Sequence, residues 1–137
     1  MIKIITGQTG EGKTKLMIEA ANKQVNSLKG NAIYIDSNLK HRYALAHQIR
    51  LIEASAFPLE SRSSFIAFLC GIIATNHDIE VVFIDELFKL TQCSIDEISA
   101  FFEEIKRLSE RYQIEFVIGT ACSRKDLPQH LTPYLIA

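Results

Sequence analysis

The sequence has little of what marks a secreted, metal-binding or membrane-spanning protein. Its three cysteines, Cys70, Cys93 and Cys122, are an odd number without a C-x-x-C pair, which argues against a disulfide framework or a zinc cluster. The four histidines show no i,i+4 spacing of the kind that favours a metal site. No apolar run approaches the ~18 residues of a membrane span, and the first one is too short for a signal peptide. We therefore expect a cytoplasmic protein with free thiols and no membrane span.

A surplus of charge of one sign is also missing. Fifteen Lys and Arg residues against sixteen Asp and Glu residues leave a net charge of −1, whereas a dedicated nucleic-acid-binding domain usually carries a basic surplus. The composition therefore disfavours a nucleic-acid partner. With 6 glycines, 3 prolines and 47% hydrophobic residues, the chain does not belong to the disordered, collagen-like or low-complexity classes. A length of 137 residues predicts one domain, residues 1–137, with its own core.

Short apolar runs alternate with longer helical patterns from one end of the chain to the other. Strands are predicted over residues 2–6, 32–35, 49–52, 81–84 and 114–118. The run at 81–84 is apolar without interruption, as parallel strands are when helices cover both faces of the sheet. This alternation predicts an α/β fold, a three-layer α/β/α sandwich around a mainly parallel five-stranded sheet.

Apolar residues at helical spacing predict one helix from Lys13 to about Leu28 and another over residues 61–74. Ser94 and Glu97 have the spacing of a capping box, which predicts the start of a helix that extends to Tyr112. In the stretch 38–58, a short helix is expected before the strand at 49–52. Residues 126–137 are expected to form one short helix or an edge element.

Residues 7–14 match the phosphate-loop pattern G-x-x-x-x-G-K-[ST] in full, directly after a predicted strand and at the start of a predicted helix. Glycines allow consecutive backbone N–H groups to wrap a phosphate chain, and a helix N-terminus favours negative charge. Lys13 is predicted to place its ammonium between the terminal phosphates, and the Thr14 hydroxyl to bind Mg²⁺. The predicted ATP-binding residues of the loop are Gly7, Gln8, Thr9, Gly10, Glu11, Gly12, Lys13 and Thr14.

With this loop the sequence resembles the P-loop NTPase superfamily. Residues 81–86, four apolar residues followed by two acids, resemble its Walker B motif. The resemblance implies the P-loop NTPase fold, a Mg²⁺ ion held by Asp85 and Thr14, and catalytic roles for Lys13 and Glu86. Glu86 resembles the additional glutamate of the RecA-like and AAA-type branch, which orients water for attack on the γ-phosphate. The alternative is that Asp85 and Glu86 only cap the turn after the strand.

Two further strand ends carry polar residues. In the branch named above, the strand after Walker B lies between the Walker B strand and the P-loop strand, and it often ends in a residue that senses the γ-phosphate. Thr120 has that position here, with an ordinary turn threonine as the alternative. Asp36 and Ser37 end the second strand and could face the nucleotide, but turn chemistry is the favoured interpretation.

The sequence also lacks the N-K-x-D and D-x-x-G motifs of a GTPase, which favours ATP over GTP. Its opening and length resemble small single-domain bacterial proteins labelled as ATP-binding, some of them as twitching-motility or PilT-like. The retraction ATPases of the PilT type have an additional N-terminal domain and further Asp- and His-containing boxes, for which we expect no room in this chain. The resemblance therefore does not extend to motor activity.

From these motifs we expect a MgATP-binding protein. It would be a slow ATPase that acts as a switch or within an assembly, with an unknown protein partner or further copies of itself. Two alternatives stay open: a nucleotide-binding regulatory module without significant turnover, and a small-molecule kinase whose acceptor pocket lies within residues 38–62. An arginine finger would accelerate hydrolysis. The candidates, each expected on the surface, are Arg50, Arg107, Arg111 and Arg124.

Overall fold

Five strands form one sheet in a computed structural model that describes residues 1–7, 12–92 and 94–137, with the backbone alone for residue 88. The strands pair in the order β1-β5-β4-β2-β3, and every pair is parallel. The predicted five-stranded sheet is therefore confirmed, and it is parallel throughout. The bounds are β1 (Ile2–Thr6), β2 (Asn31–Asp36), β3 (Ile49–Glu53), β4 (Ile79–Ile84) and β5 (Glu115–Thr120).

Helices cover both faces of the sheet and complete the three predicted layers. Helix α1 (Lys13–Val25) packs Met17 and Ala21 against one face. Helices α2 (Arg62–Thr75) and α4 (Ile98–Tyr112) pack against the other face and meet through Phe65 and Phe101, whose ring centroids are 6.1 Å apart. The remaining helical segments are the short α3 (Leu87–Thr91) and the 3₁₀ helices Ala54–Ala56, Ile95–Glu97 and Gln129–Tyr134.

The helix ends agree with the predictions to different degrees. The Ser94–Glu97 capping box is confirmed, because the Ser94 N–H donates to Glu97 Oε1 at 3.3 Å. Helix α1 ends at Val25, about one turn before the predicted end near Leu28. Residues 87–91 form a short helix that the sequence indicated only as a turn. Local patterns thus located each long helix but did not fix every terminus.

The prediction of a short helix before β3 is wrong, because residues 38–48 form turns and bends. Asn38 Oδ1 accepts a hydrogen bond from the Lys40 N–H at 2.8 Å, an alternative to helical pairing that asparagine offers its neighbours. The amide of Asn22 on α1 bonds the Ala44 carbonyl at 2.8 Å and the Ala46 N–H at 2.7 Å. The segment therefore satisfies its backbone groups partly through side chains, one of them on α1.

Residues 126–137 form both a short helix and an edge element, the two alternatives predicted for them. After the 3₁₀ helix Gln129–Tyr134, residues 135–137 run alongside β1. The Ile136 N–H donates to the Ile4 carbonyl at 2.9 Å, and the Thr6 N–H donates to the Ala137 carbonyl at 3.0 Å. These bonds cover the outer side of β1 close to the start of the predicted phosphate loop.

Candidate nucleotide-binding site

The carboxyl ends of the strands meet at one edge of the sheet, and the predicted motif residues follow them. Thr6 of β1 lies opposite Thr120 of β5, and Ile84 of β4 lies opposite both Ile118 of β5 and Ile35 of β2. Strand β5 therefore lies between β1 and β4, as the resemblance to the RecA-like branch implied. This order brings the residue after β4, Asp85, to the same edge as the N-terminus of α1.

The two ends of the predicted phosphate loop have backbone features that suit a loop of this kind. The Gly7 N–H donates to the Cys122 carbonyl at 3.2 Å, which joins the start of the loop to the turn after β5. Gly12 has φ of 80°, a left-handed conformation that favours glycine, and caps α1 without a side-chain hydrogen bond. Gln8, Thr9, Gly10 and Glu11 lie outside the described residues, so their predicted roles stay predictions.

Lys13 and Asp85 form a buried ion pair across this edge. Lys13 Nζ lies 3.0 Å from Asp85 Oδ1, and the two side chains are 6% and 1% exposed. The pair joins the first residue of α1 to the residue after β4, which are 72 positions apart in sequence. Thr14, the other predicted Mg²⁺ ligand, follows Lys13 on α1 and is half-buried. The structure thus brings together the lysine and the aspartate that two separate motifs predicted.

Asp85 has two further hydrogen-bond donors. The Glu86 N–H donates to Oδ1 at 2.9 Å, and the hydroxyl of Tyr34 on β2 donates to Oδ2 at 3.1 Å. Tyr34 is fully buried, and burial, together with the negative charge of Asp85, raises the pKa of the Tyr34 phenol far above its usual range. The phenol therefore stays protonated and donates. Sequence reasoning missed Tyr34, since nothing in the strand pattern distinguishes it from a core aromatic residue.

Glu86 has an unusual backbone conformation and does not use its side chain as a helix cap. Its φ of 56° lies in the left-handed region, which is costly for a residue with a side chain. It has the N-cap position of α3 but makes no side-chain cap hydrogen bond. Its Oε2 instead accepts from the Ser37 hydroxyl at 3.1 Å and lies 3.7 Å from Lys89 Nζ. The side-chain contacts thus run toward the end of β2 and along α3.

Asp36 and Ser37 combine the two interpretations that the sequence offered. Asp36 Oδ1 accepts from the Ser37 N–H at 2.7 Å, which is the expected turn chemistry. Both residues are also buried at the predicted site, where Ser37 bonds Glu86. Burial, and after it the charge of Asp85, raises the pKa of the Asp36 carboxyl above its usual value. The end of β2 therefore adds a carboxyl group and a hydroxyl group to the surroundings of Asp85 and Glu86.

The end of β5 contributes two residues with different surroundings. Thr120 is fully buried, and its hydroxyl lies 3.3 Å from Cys122 Sγ, so its predicted role as a γ-phosphate sensor stays a prediction. A Cβ atom at Gly119 would lie 3.2 Å from Asp85 Oδ1, 3.3 Å from Met17 Sδ and 3.5 Å from Lys13 Cδ. Glycine at 119 therefore leaves room for the buried ion pair. The only sequence signal for this role is a glycine near the end of an apolar strand.

A cavity of about 220 Å³ is formed partly by the segment 38–62, in which an acceptor pocket was expected. Ser37 and Lys89, both in contact with Glu86, contribute to its wall. The remaining lining residues are Ala54, Ser55, Phe57, Leu59 and Leu90. The four candidate finger arginines, Arg50, Arg107, Arg111 and Arg124, are exposed, as the sequence predicted.

The oxygen ligands at the carboxyl edge of the sheet suit one kind of metal site and not another. Within the ranges that the structure describes, no group of three His, Cys, Asp or Glu side chains is arranged to hold a metal. Thr14 and Asp85 nevertheless offer hard oxygen donors. Mg²⁺ commonly binds through one or two carboxylates, with phosphate oxygens and waters completing its coordination. The residues present therefore suit Mg²⁺ bound together with a nucleotide better than they suit a metal bound by protein alone.

Comparison with protein-family models finds no matching family, and comparison with curated proteins finds no match. Among the described residues, no helix is both long and apolar enough to cross a bilayer.

Proposed function

We propose that the protein binds MgATP at the carboxyl edge of the sheet and hydrolyses it slowly, as a switch or as one part of an assembly. The observation that carries the proposal is the 3.0 Å pairing of Lys13 with Asp85, which joins a complete phosphate-loop motif to a Walker B-like strand end. We propose, on the same grounds, that the chain belongs to the P-loop NTPase superfamily. The free thiols of Cys70 and Cys122 support the further proposal that it acts in the cytoplasm.

A buried ion pair has a physical cost that a ligand can offset. Removing both charges from water is expensive, and their attraction repays this only when the geometry is good. A triphosphate at the N-terminus of α1 would give Lys13 a more highly charged partner than Asp85. Thr14 and Asp85 would hold the accompanying Mg²⁺, which supplies charge neutralisation at the phosphate oxygens when bound.

Glu86 is the residue we assign to the hydrolytic step. A carboxylate can accept a proton from water and orient it for in-line attack. The Ser37 hydroxyl restricts the orientation of this carboxylate, and Lys89 Nζ lies 3.7 Å from it. Because Arg50, Arg107, Arg111 and Arg124 are on the surface, we propose that a transition-state cation comes from a partner protein or another copy. Slow turnover by the isolated chain is the expected result.

The binding proposal is tested with Lys13→Gln and a matched control, Lys15→Gln, which removes an exposed lysine from the same helix. Calorimetry should show MgATP affinity lowered by at least about 10-fold in the first variant and unchanged in the second, because a charge-assisted contact is worth roughly 1.5–3 kcal/mol. Circular dichroism must show that both variants are folded. Equal affinity in folded Lys13→Gln and wild type would contradict the assignment.

The hydrolytic role is tested with Glu86→Gln. If Glu86 orients the attacking water, the variant should bind MgATP about as well as wild type and hydrolyse it roughly 10²-fold more slowly in a single turnover. If Glu86 serves only the turn after β4, hydrolysis should change little. A wild-type protein that binds MgATP but releases no phosphate, even at high protein concentration, would favour the regulatory module instead.

A small-molecule kinase is the second candidate, and the observation that favours it is a cavity lined by Ser37 and Lys89, the two residues whose side chains contact Glu86. An acceptor in this cavity would be separated by these side chains from a carboxylate able to take a hydroxyl proton. Phosphate release without any added acceptor separates the two activities. Clear release supports hydrolysis by water, whereas ADP formation that depends strictly on an added alcohol supports the kinase.

A further inference from the structure

The environment of Tyr34 separates the role of its ring from that of its hydroxyl. The ring is fully buried, stacks on Phe83 with centroids 5.9 Å apart, and packs in the apolar cluster that includes Met17 and Ala21 of α1. The hydroxyl bonds Asp85 Oδ2 at 3.1 Å. Since the packing contacts of the ring do not involve the hydroxyl, Tyr34→Phe removes the hydroxyl and keeps those contacts.

The donors on Asp85 differ in what nucleotide binding would do to them. Oδ1 accepts from Lys13 Nζ and from the Glu86 N–H, and Oδ2 accepts from Tyr34. Under the proposed function, Lys13 leaves Asp85 to meet the phosphates. The backbone N–H and the Tyr34 hydroxyl then remain, one on each carboxylate oxygen. Two donors on opposite oxygens restrict rotation of the carboxylate about its bond to Cβ more strongly than one donor does.

We propose that the Tyr34 hydroxyl is a positioning group that holds the Asp85 carboxylate in the orientation needed for Mg²⁺. The inference rests on the proposed function and adds a residue that the motifs do not contain. Groups that hydrogen-bond a metal ligand commonly change metal affinity or activity by 10–100-fold when they are removed. The competing explanation is that Asp85 only satisfies a buried phenol, in which case the bond contributes to stability and not to metal binding.

The test measures ATP affinity by calorimetry across a range of Mg²⁺ concentrations and again in EDTA. Tyr34→Phe should raise the Mg²⁺ concentration at half-maximal effect by about 10-fold. It should change metal-free ATP affinity less than about twofold, because Asp85 acts through the cation. Tyr43→Phe, at a tyrosine that is 87% exposed, is the matched control and should change neither quantity.

A folded Tyr34→Phe variant with the Mg²⁺ dependence of wild type would overturn the inference while leaving MgATP binding intact. So would an equal loss of affinity with and without Mg²⁺. Absence of any nucleotide binding in wild type would instead overturn the proposed function and this inference with it. Should Tyr34→Phe be too unstable to fold in buffer alone, the same Mg²⁺ series is measured for both proteins in an osmolyte such as sucrose, which favours the folded state. The same two outcomes then decide the inference.

Discussion

Two lysine–carboxylate pairs lie at opposite edges of the sheet and differ in their surroundings. At the amino edge, Lys3 Nζ lies 2.7 Å from Glu115 Oε1, and the side chains are 36% and 15% exposed. At the carboxyl edge, Lys13 and Asp85 are 3.0 Å apart and almost fully buried. The shorter pair is the more exposed one. Distance alone therefore says little about energetic importance, because water weakens the attraction at the amino edge and is largely excluded at the carboxyl edge.

Buried polar residues, too, are concentrated at the carboxyl edge of the sheet. Seven polar or charged residues are buried in the described part of the chain, and five of them lie at the carboxyl edge or open α1 there: Lys13, Asp36, Ser37, Asp85 and Thr120. A fold gains little stability from such groups compared with apolar residues of similar size. Their concentration at one edge is therefore better explained by a ligand than by stability, as the proposed nucleotide site requires.

The largest effect is expected when the cation of each pair is removed by the same substitution. Lys13→Gln leaves the buried Asp85 charge without its partner and should lower the free energy of unfolding by about 3–5 kcal/mol. Lys3→Gln should cost less, about 1–2 kcal/mol, because Lys3 is 36% exposed although the Glu115 Oε1 atom that it pairs with is buried. Urea unfolding without nucleotide measures both. Equal losses in the two variants would show that the difference in burial has no energetic consequence.

A smaller effect is expected from the space around the buried pair. Gly119→Ala places a methyl group 3.2 Å from Asp85 Oδ1 and should lower the free energy of unfolding by about 1–3 kcal/mol, the usual cost of overpacking. At Gly71 on α2 an added Cβ meets nothing within 4 Å, so Gly71→Ala should stabilise the protein by about 0.5–1 kcal/mol. Chemical denaturation distinguishes the two signs, and a stabilised Gly119→Ala would contradict the tight packing described at the pair.

The roles of some residues at the carboxyl edge could be predicted from the sequence and those of others could not, for a physical reason. Lys13 and Asp85 could be predicted because each belongs to a local pattern whose chemistry is self-contained. Tyr34 and Gly119 could not, because their roles depend on which strands become neighbours. Tyr34 reaches Asp85 across 51 residues of sequence, and only the pairing of β2 with β4 brings them together. The fold itself was predictable, since alternating strands and helices in a sequence indicate a parallel sheet covered by helices.

The prediction of a short helix before β3 was wrong for the same reason. The local spacing favours a helix, whereas in the structure the backbone of Ala44 and of Ala46 is hydrogen-bonded to the side chain of Asn22 on α1. Tertiary hydrogen bonds of this kind override weak local preference.

The smallest effect is expected in the pH dependence of stability. Burial and the charge of Asp85 raise the pKa of Asp36 in the folded protein. The contribution of Asp36 to the free energy of unfolding is then fully present below its unfolded pKa and is lost as pH rises through its folded pKa. Asp36→Asn keeps an acceptor for the Ser37 N–H but cannot titrate, so this loss on raising the pH should disappear. Urea unfolding as a function of pH measures it, with Glu103→Gln on the exposed surface of α4 as control.

That prediction also has a clear failure. If Asp36→Asn and wild type show the same pH dependence from acid to neutral pH, Asp36 does not hold its proton more tightly in the folded state. Asp36 would then be charged in the folded protein although other acids lie close to it. The exclusion of water would differ less between the carboxyl edge and the amino edge than described above.

The strand-like run of residues 135–137 along β1 has a consequence for how the sheet can grow. These residues occupy the outer side of β1 near its carboxyl end, whereas β3 forms the other margin and pairs only with β2 among the described residues. One margin is shielded and one is open. Two molecules joined through β3 would use the open margin of each and leave at both ends of the joined sheet a margin where residues 135–137 already occupy part of β1.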